Sequence, residues 1–327
     1  MTKEDGYATT LASVESQSED ETRDAFALVR NNWQRKNHAV LLTAQTGTSI
    51  KTLALQLGLA FSIGKPLFGF TPARALRVGI ALRGWTDKRA LYIFRRNVAK
   101  VLQDTEGWTA EETQQALQRL DLLKIYAGYT GGDFFLRLQE IQGSKGYDLL
   151  LLTDIADSYA GPLDDTKALG HFLLTELRTI AEDPLHPCGI WCFHHSSEVC
   201  KLSSTDTPDK LPQYIGAGAK VFTQWADRLL FLKPETGCYY LLKADSHAHK
   251  LGWRTGTGDK ETAASILAYE KTKGCWRETN AEDLGKRPFK SGSSVDFATG
   301  ARIPYWTAQK DVRCNVCSGT ENKDGTK

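Results

Sequence analysis

No run of about 18 apolar residues occurs in the chain, so no membrane-crossing helix is expected. The amino terminus also lacks a basic stretch followed by an apolar one, so a secretory signal is not expected. Charge of neither sign predominates: 41 Lys and Arg against 39 Asp and Glu leave a net +2 over 327 residues. That balance argues neither for nor against nucleic acid, because a local basic strip can sit inside a neutral total. Cysteines are few and odd in number, seven, with Cys188 and Cys192 inside apolar runs. This usage suits a reducing, cytoplasmic setting better than a disulfide framework. What remains is an ordinary globular composition, 41% hydrophobic and 24% charged, with room for one large domain and an appendage.

Residues 1–24 are rich in Ser, Thr, Glu and Asp and are expected to form a mobile leader. Helical spacing of Phe26, Leu28, Val29 and Trp33 predicts a helix over 24–37. Apolar strands are expected at 39–45, 77–82, 122–126, 147–154 and 189–193, with helices over 87–102, 110–123, 134–141 and 169–181 between them. Buried strands alternating with helices indicate a mostly parallel, helix-covered sheet. Residues 228–232 and 239–243 flank Pro234-Glu-Thr-Gly237 and read as an antiparallel hairpin at the sheet's C-terminal side. The domain limits that follow are 25–268 for the α/β domain and 269–327 for a C-terminal extension.

One segment carries chemistry: Ala39-Val-Leu-Leu-Thr-Ala-Gln-Thr-Gly-Thr-Ser-Ile-Lys-Thr-Leu-Ala54. Its strand, small-residue loop and apolar-faced helix have the layout of a P-loop, in which backbone N–H groups cradle phosphate at a helix N-terminus. A working loop needs Gly-x-x-x-x-Gly-Lys-Ser/Thr, with lysine on the outer phosphates and the hydroxyl on Mg²⁺. The segment fits this pattern in two registers, each damaged. Anchored on the helix, Thr46, Gly47 and Thr48 fill the loop, with Ser49 at the second glycine, Ile50 at the lysine and Lys51 at the hydroxyl. Anchored on Lys51 and Thr52, lysine and hydroxyl survive, but Gln45 and Ile50 replace the glycines. The helix-anchored register is preferred because it needs no slip of the apolar face. A plain strand–turn–helix corner remains the alternative.

Three further elements complete the candidate set. Tyr147-Asp-Leu-Leu-Leu-Leu-Thr-Asp154 ends a leucine strand in an acid, as a metal-supporting strand does; the alternative is an Asp154 that only caps a turn. Trp191-Cys-Phe-His-His-Ser-Ser197 offers His194 and His195 as a polar sensor of phosphate. Adjacent residues on an extended chain face opposite ways, so both can serve one site only if the strand has ended. Cys314 and Cys317 form one Cys-x-x-Cys pair, half of a zinc ribbon; free thiols in a loose tail are the preferred reading. Trp276, Tyr305 and Trp306 are expected to dock this tail on a neighbour or on the main sheet.

In this order, these motifs resemble the RepA-like branch of RecA-type P-loop ATPases, related more distantly to KaiC and the hexameric replicative helicases. The resemblance rests on Thr46-Gly-Thr48, Leu53–Leu57, Gly64-Lys-Pro-Leu-Phe-Gly69, Arg77-Val78, the strand to Asp154, His194-His-Ser-Ser197, Gly216–Ala219 and Ala226–Leu229. It spans roughly residues 25–255 and implies a RecA-like P-loop NTPase fold, ATP with Mg²⁺ held by Thr52 and Asp154, ring-type self-assembly and DNA as partner. It also implies a lysine where the preferred register has Ile50, and an acid just after the second strand, where Arg83-Gly84 stands and Asp87 is nearest. The family's strand-end aspartate can fall on Thr153 instead of Asp154, and Glu198 stands where relatives have a basic residue (or Lys201 supplies it later). Losing several such groups costs orders of magnitude in rate.

The expectation is therefore a degenerate member, poor or inactive in hydrolysis, that scaffolds with itself or with a related active ATPase in replication, repair or mobile-element processes. An active DNA motor using Lys51 and Asp154 is the first alternative, and a sensor that binds nucleotide without turnover the second. The basic face of 87–102 (Lys88, Arg89, Arg95, Arg96, Lys100) and the loop 201–218 are the candidate DNA contacts.

Overall fold

A computed structural model describes residues 24–82, 88–123, 125, 128–196, 219–234, 239–244, 251 and 264–279. In chain order the elements are β1 (Ala27–Val29), β2 (Gln34–Arg35), β3 (Ala39–Gln45), α1 (Ile50–Ser62), β4 (Val78–Ala81), α2 (Lys88–Glu106), α3 (Ala110–Arg119) and β5 (Leu120–Leu122). Then come α4 (Gly131–Lys145), β6 (Leu149–Thr153) and α5 (Ile155–Tyr159). Helix α6 begins as Thr166–Gly170, passes through a π-helical His171–Leu177 and ends as Arg178–Ala181. After it follow β7 (Gly189–Ser196), α7 (Ala219–Trp225), β8 (Arg228–Pro234), β9 (Tyr239–Ala244), β10 (Ala264–Glu270) and β11 (Cys275–Thr279).

Among the described residues the strands form one nine-stranded sheet, in the order β11-β10-β9-β8-β3-β7-β6-β4-β5, and a separate β1–β2 pair. From β8 to β5 all neighbours are parallel, while β8 to β11 pair antiparallel. The parallel strands are apolar on both faces because helices cover both: all five residues of β6 are buried. Leu42, Leu151 and Trp191 face α1, while Leu41, Leu150 and Cys192 face the side of α4, α6 and α7. The result is a mixed α/β architecture with a large, mostly parallel, helix-flanked sheet and an antiparallel hairpin beyond β8.

Every residue of α1 except Lys51 is buried, which a helix lying on one sheet face does not ordinarily achieve. The cause is β11. It stands at the far end of the sheet order, yet it packs on α1 as β4, β6 and β7 do. The antiparallel strands must therefore curl over, covering the side of α1 turned away from the parallel strands.

Three segments depart from the sequence reading. Residues 24–37 form a β-hairpin, not a helix: Asn31 and Asn32 take positive φ (60° and 52°), and Trp33 N–H donates to the Arg30 carbonyl at 3.2 Å. This is the primed turn that matches strand twist, and the Asn-Asn pair was its signal. The apolar spacing instead reflects burial of Leu28, Val29 and Trp33 in the core, where Trp33 lies 5.3 Å from Phe70 and 5.8 Å from Trp191, centroid to centroid. The helix expected over 110–123 stops at Arg119, and β5 starts directly after it. A domain limit at 268 cuts β10, since the sheet runs on through β11.

Candidate functional site

Strands β3, β7 and β6 are adjacent and parallel, and their carboxyl ends bring the three chemical segments of the sequence together. The link from β3 to α1 is only Thr46-Gly-Thr-Ser49. Thr48 N–H donates to the Gln45 carbonyl at 3.0 Å, closing a turn in which Gly47 has φ +90°. A type II turn demands such a φ. A Cβ on Gly47 would meet nothing within 4 Å, so this glycine serves the turn, not close packing. Ile50 N–H donates to the Thr48 carbonyl at 2.8 Å. Two N–H groups that a phosphate cradle would use are thus engaged by the loop itself.

Thr46 and Gly47 are exposed, Ser49 is half-buried, and Thr48 and Thr52 are buried. Ile50 is wholly buried in the core beside Leu53 and Leu57. Lys51 is the residue that faces outward, its Nζ 2.5 Å from the Asp154 carboxylate. A buried isoleucine cannot take a lysine's part, so the preferred helix-anchored register puts no cation at the loop; only the alignment on Lys51 does. Without a glycine at position 50, even that alignment keeps a β-branched side chain where phosphate would approach.

Asp154 follows β6 with φ 54° and ψ 53°, the left-handed conformation that aspartate tolerates better than most residues. It stands at the head of α5, but its side chain makes no capping bond. Thr153, the other candidate for the strand-end acid, is turned inward, its hydroxyl donating to the Ala81 carbonyl at 2.8 Å. Asp154 therefore presents the carboxylate. The Lys51 ammonium already sits on it and Thr52 is buried, so this pair does not fit a divalent cation as placed. Among the described residues no three His, Cys, Asp or Glu side chains converge as a metal-ligand set.

Strand β7 continues through Ser196, so His194 and His195 face opposite sides and do not share one site. His194 is buried and stacks on Phe222, ring centroids 4.8 Å apart. Burial, helped by His195 and opposed by Asp154, pushes its pKa down to about 4, so it is neutral at pH 7. His195 lies on the other face, its Nδ1 3.3 Å from the Gln45 carbonyl at the start of the loop. Burial also pushes the Cys188 thiol up to about 12 and that of Cys192 well above its ordinary value, which makes both unreactive.

Gln56 and Trp276 were not anticipated as parts of this site. The Gln56 side chain donates to the Trp276 carbonyl and accepts from the Trp276 N–H, both at 2.8 Å. The Trp276 indole N–H donates to the Ser49 carbonyl at 2.9 Å. A lone amide inside Leu-Ala-Leu-Gln-Leu57 was the available signal, because a buried amide requires partners. Arg83–Asp87, Ser197–Gly218 and the C-terminal residues that include Cys314, Cys317, Tyr305 and Trp306 lie outside the described residues, as does the leader up to residue 23.

No protein-family model matches the chain, and no curated protein matches it.

Proposed function

We propose that the chain is a degenerate RecA-type P-loop protein that turns over little or no ATP and acts as an oligomerising scaffold. Its partners are further copies of itself or an active relative at DNA, in the cytoplasm. The strand–loop–helix after the central β3, with an acid ending β6 two strands away, supports this descent. One observation carries the loss of hydrolysis: Lys51 is held on Asp154 while Ile50 is buried and the Thr48 and Ile50 N–H groups are engaged by carbonyls. Phosphoryl transfer depends on positioning and on charge placed in advance, and here the charge is neutralised within the protein.

Retention of both Lys51 and Asp154 at the loop favours a second reading, an active DNA motor. It requires the ammonium to leave the carboxylate for phosphate and a neighbouring subunit to supply what is lacking. Purified protein assayed with MgATP, with and without single-stranded DNA and beside Lys51→Ala, separates the two. Turnover at background in all samples is expected; turnover abolished by Lys51→Ala overturns the scaffold and restores the motor. Tight MgATP binding without turnover instead marks a nucleotide sensor.

A further inference from the structure

We infer that Trp276 is the residue that positions the β3–α1 loop, so that the β10–β11 hairpin and the loop order or loosen together. Trp276 is wholly buried, its ring set between Tyr240 and Tyr269, each 4.9 Å away centroid to centroid. That packing fixes where the indole N–H points, and it points at the Ser49 carbonyl, 2.9 Å away. Ser49 is the N-cap residue of α1, and its own side chain makes no capping bond. Its carbonyl accepts the Leu53 N–H of α1 at 3.3 Å, and the shorter indole bond adds a hold from outside, by a strand more than two hundred positions further along the chain.

The two Gln56 bonds make the contact rigid. They tie the backbone of Trp276 to the second turn of the helix that Ser49 begins, so the indole cannot slide along α1 without breaking them. Buried amide bonds of this kind act as a register pin, since leaving either partner unsatisfied is costly. The loop, by contrast, has an exposed tip at Thr46 and Gly47, where an added Cβ on Gly47 would meet nothing within 4 Å. Order therefore passes from the hairpin to the loop. Because coupling is reciprocal, distortion of the loop must also loosen Trp276.

The inference concerns the loop of the proposed function but needs no ligand, so it stands or falls separately from ATP binding. Trp276→Phe keeps an aromatic ring between Tyr240 and Tyr269 and removes the indole donor together with the volume of the second ring. Amide exchange across residues 46–53 is expected to quicken at least about fivefold, the scale of one lost hydrogen bond, while β6 and β7 keep their protection. The reciprocal variant is Gly47→Val, which strains the turn at φ +90° where an added Cβ meets nothing within 4 Å, and should quicken exchange of the Trp276 indole proton by a similar factor. Unchanged loop exchange in Trp276→Phe overturns the inference, as does equal quickening in β6 and β7. If Trp276→Phe fails to fold, an unmoved indole proton in Gly47→Val overturns it alone.

Discussion

The two ends of the parallel strands are built on opposite plans. At the amino ends, Asp148 accepts from the Arg77 N–H at 3.0 Å and pairs with Lys36 at 2.8 Å and Arg74 at 3.2 Å. Burial raises its pKa, but these three partners more than offset that and hold it below the ordinary value. Asp227 does likewise, accepting from the Ala39 N–H and from Arg178, both at 2.7 Å. Both acids are tied to backbone and to cations at once, as structural anchors are. At the carboxyl ends, Asp154 sits in a left-handed conformation and caps nothing. Open α/β sheets hold ligands at the carboxyl ends of their strands, where the Asp154 carboxylate here pairs with Lys51.

That contrast is open to direct challenge. Asp148→Ala should have the largest effect, about 4 kcal/mol lost in chemical denaturation, because it removes three charge-assisted bonds at once, to Lys36, Arg74 and the Arg77 N–H. A loss below about 1 kcal/mol would remove the distinction between the ends. Next comes pH. His194 has its folded pKa depressed to about 4 from 6.5, so its contribution is whole above 6.5 and is lost as pH falls toward 4. Up to about 3 kcal/mol should disappear across that window, and His194→Phe should flatten the slope. Smallest is Asp154→Gly. Relief of the left-handed residue offsets part of the lost half-buried pairing with Lys51, so stability should fall by less than about 2 kcal/mol. A large loss there would make Asp154 a structural anchor like Asp148.

Much of the core was legible because burial leaves a periodic trace. The leucine run of β6, the apolar β3 and the alternation of strands with helices are local patterns, and each appears where the pattern put it within a few residues. The site was legible only in part. Lys51 and Asp154 could be named, but the choice between Ile50 and Lys51 turns on which way a helix faces, and one residue is about 100° of rotation. The separation of His194 from His195 depended on whether β7 continues past them, which no single residue there announces.

Composition and spacing determined the α/β class, the strand-to-helix loop and the acid ending β6, because these follow from local burial and turn chemistry. Only the tertiary structure decided the curl that lays β11 on α1 and the contact of Trp276 with Gln56 and Ser49. Strand pairing and side-chain contact across more than two hundred residues are set by what the remaining chain leaves uncovered. No window of neighbouring residues contains that information.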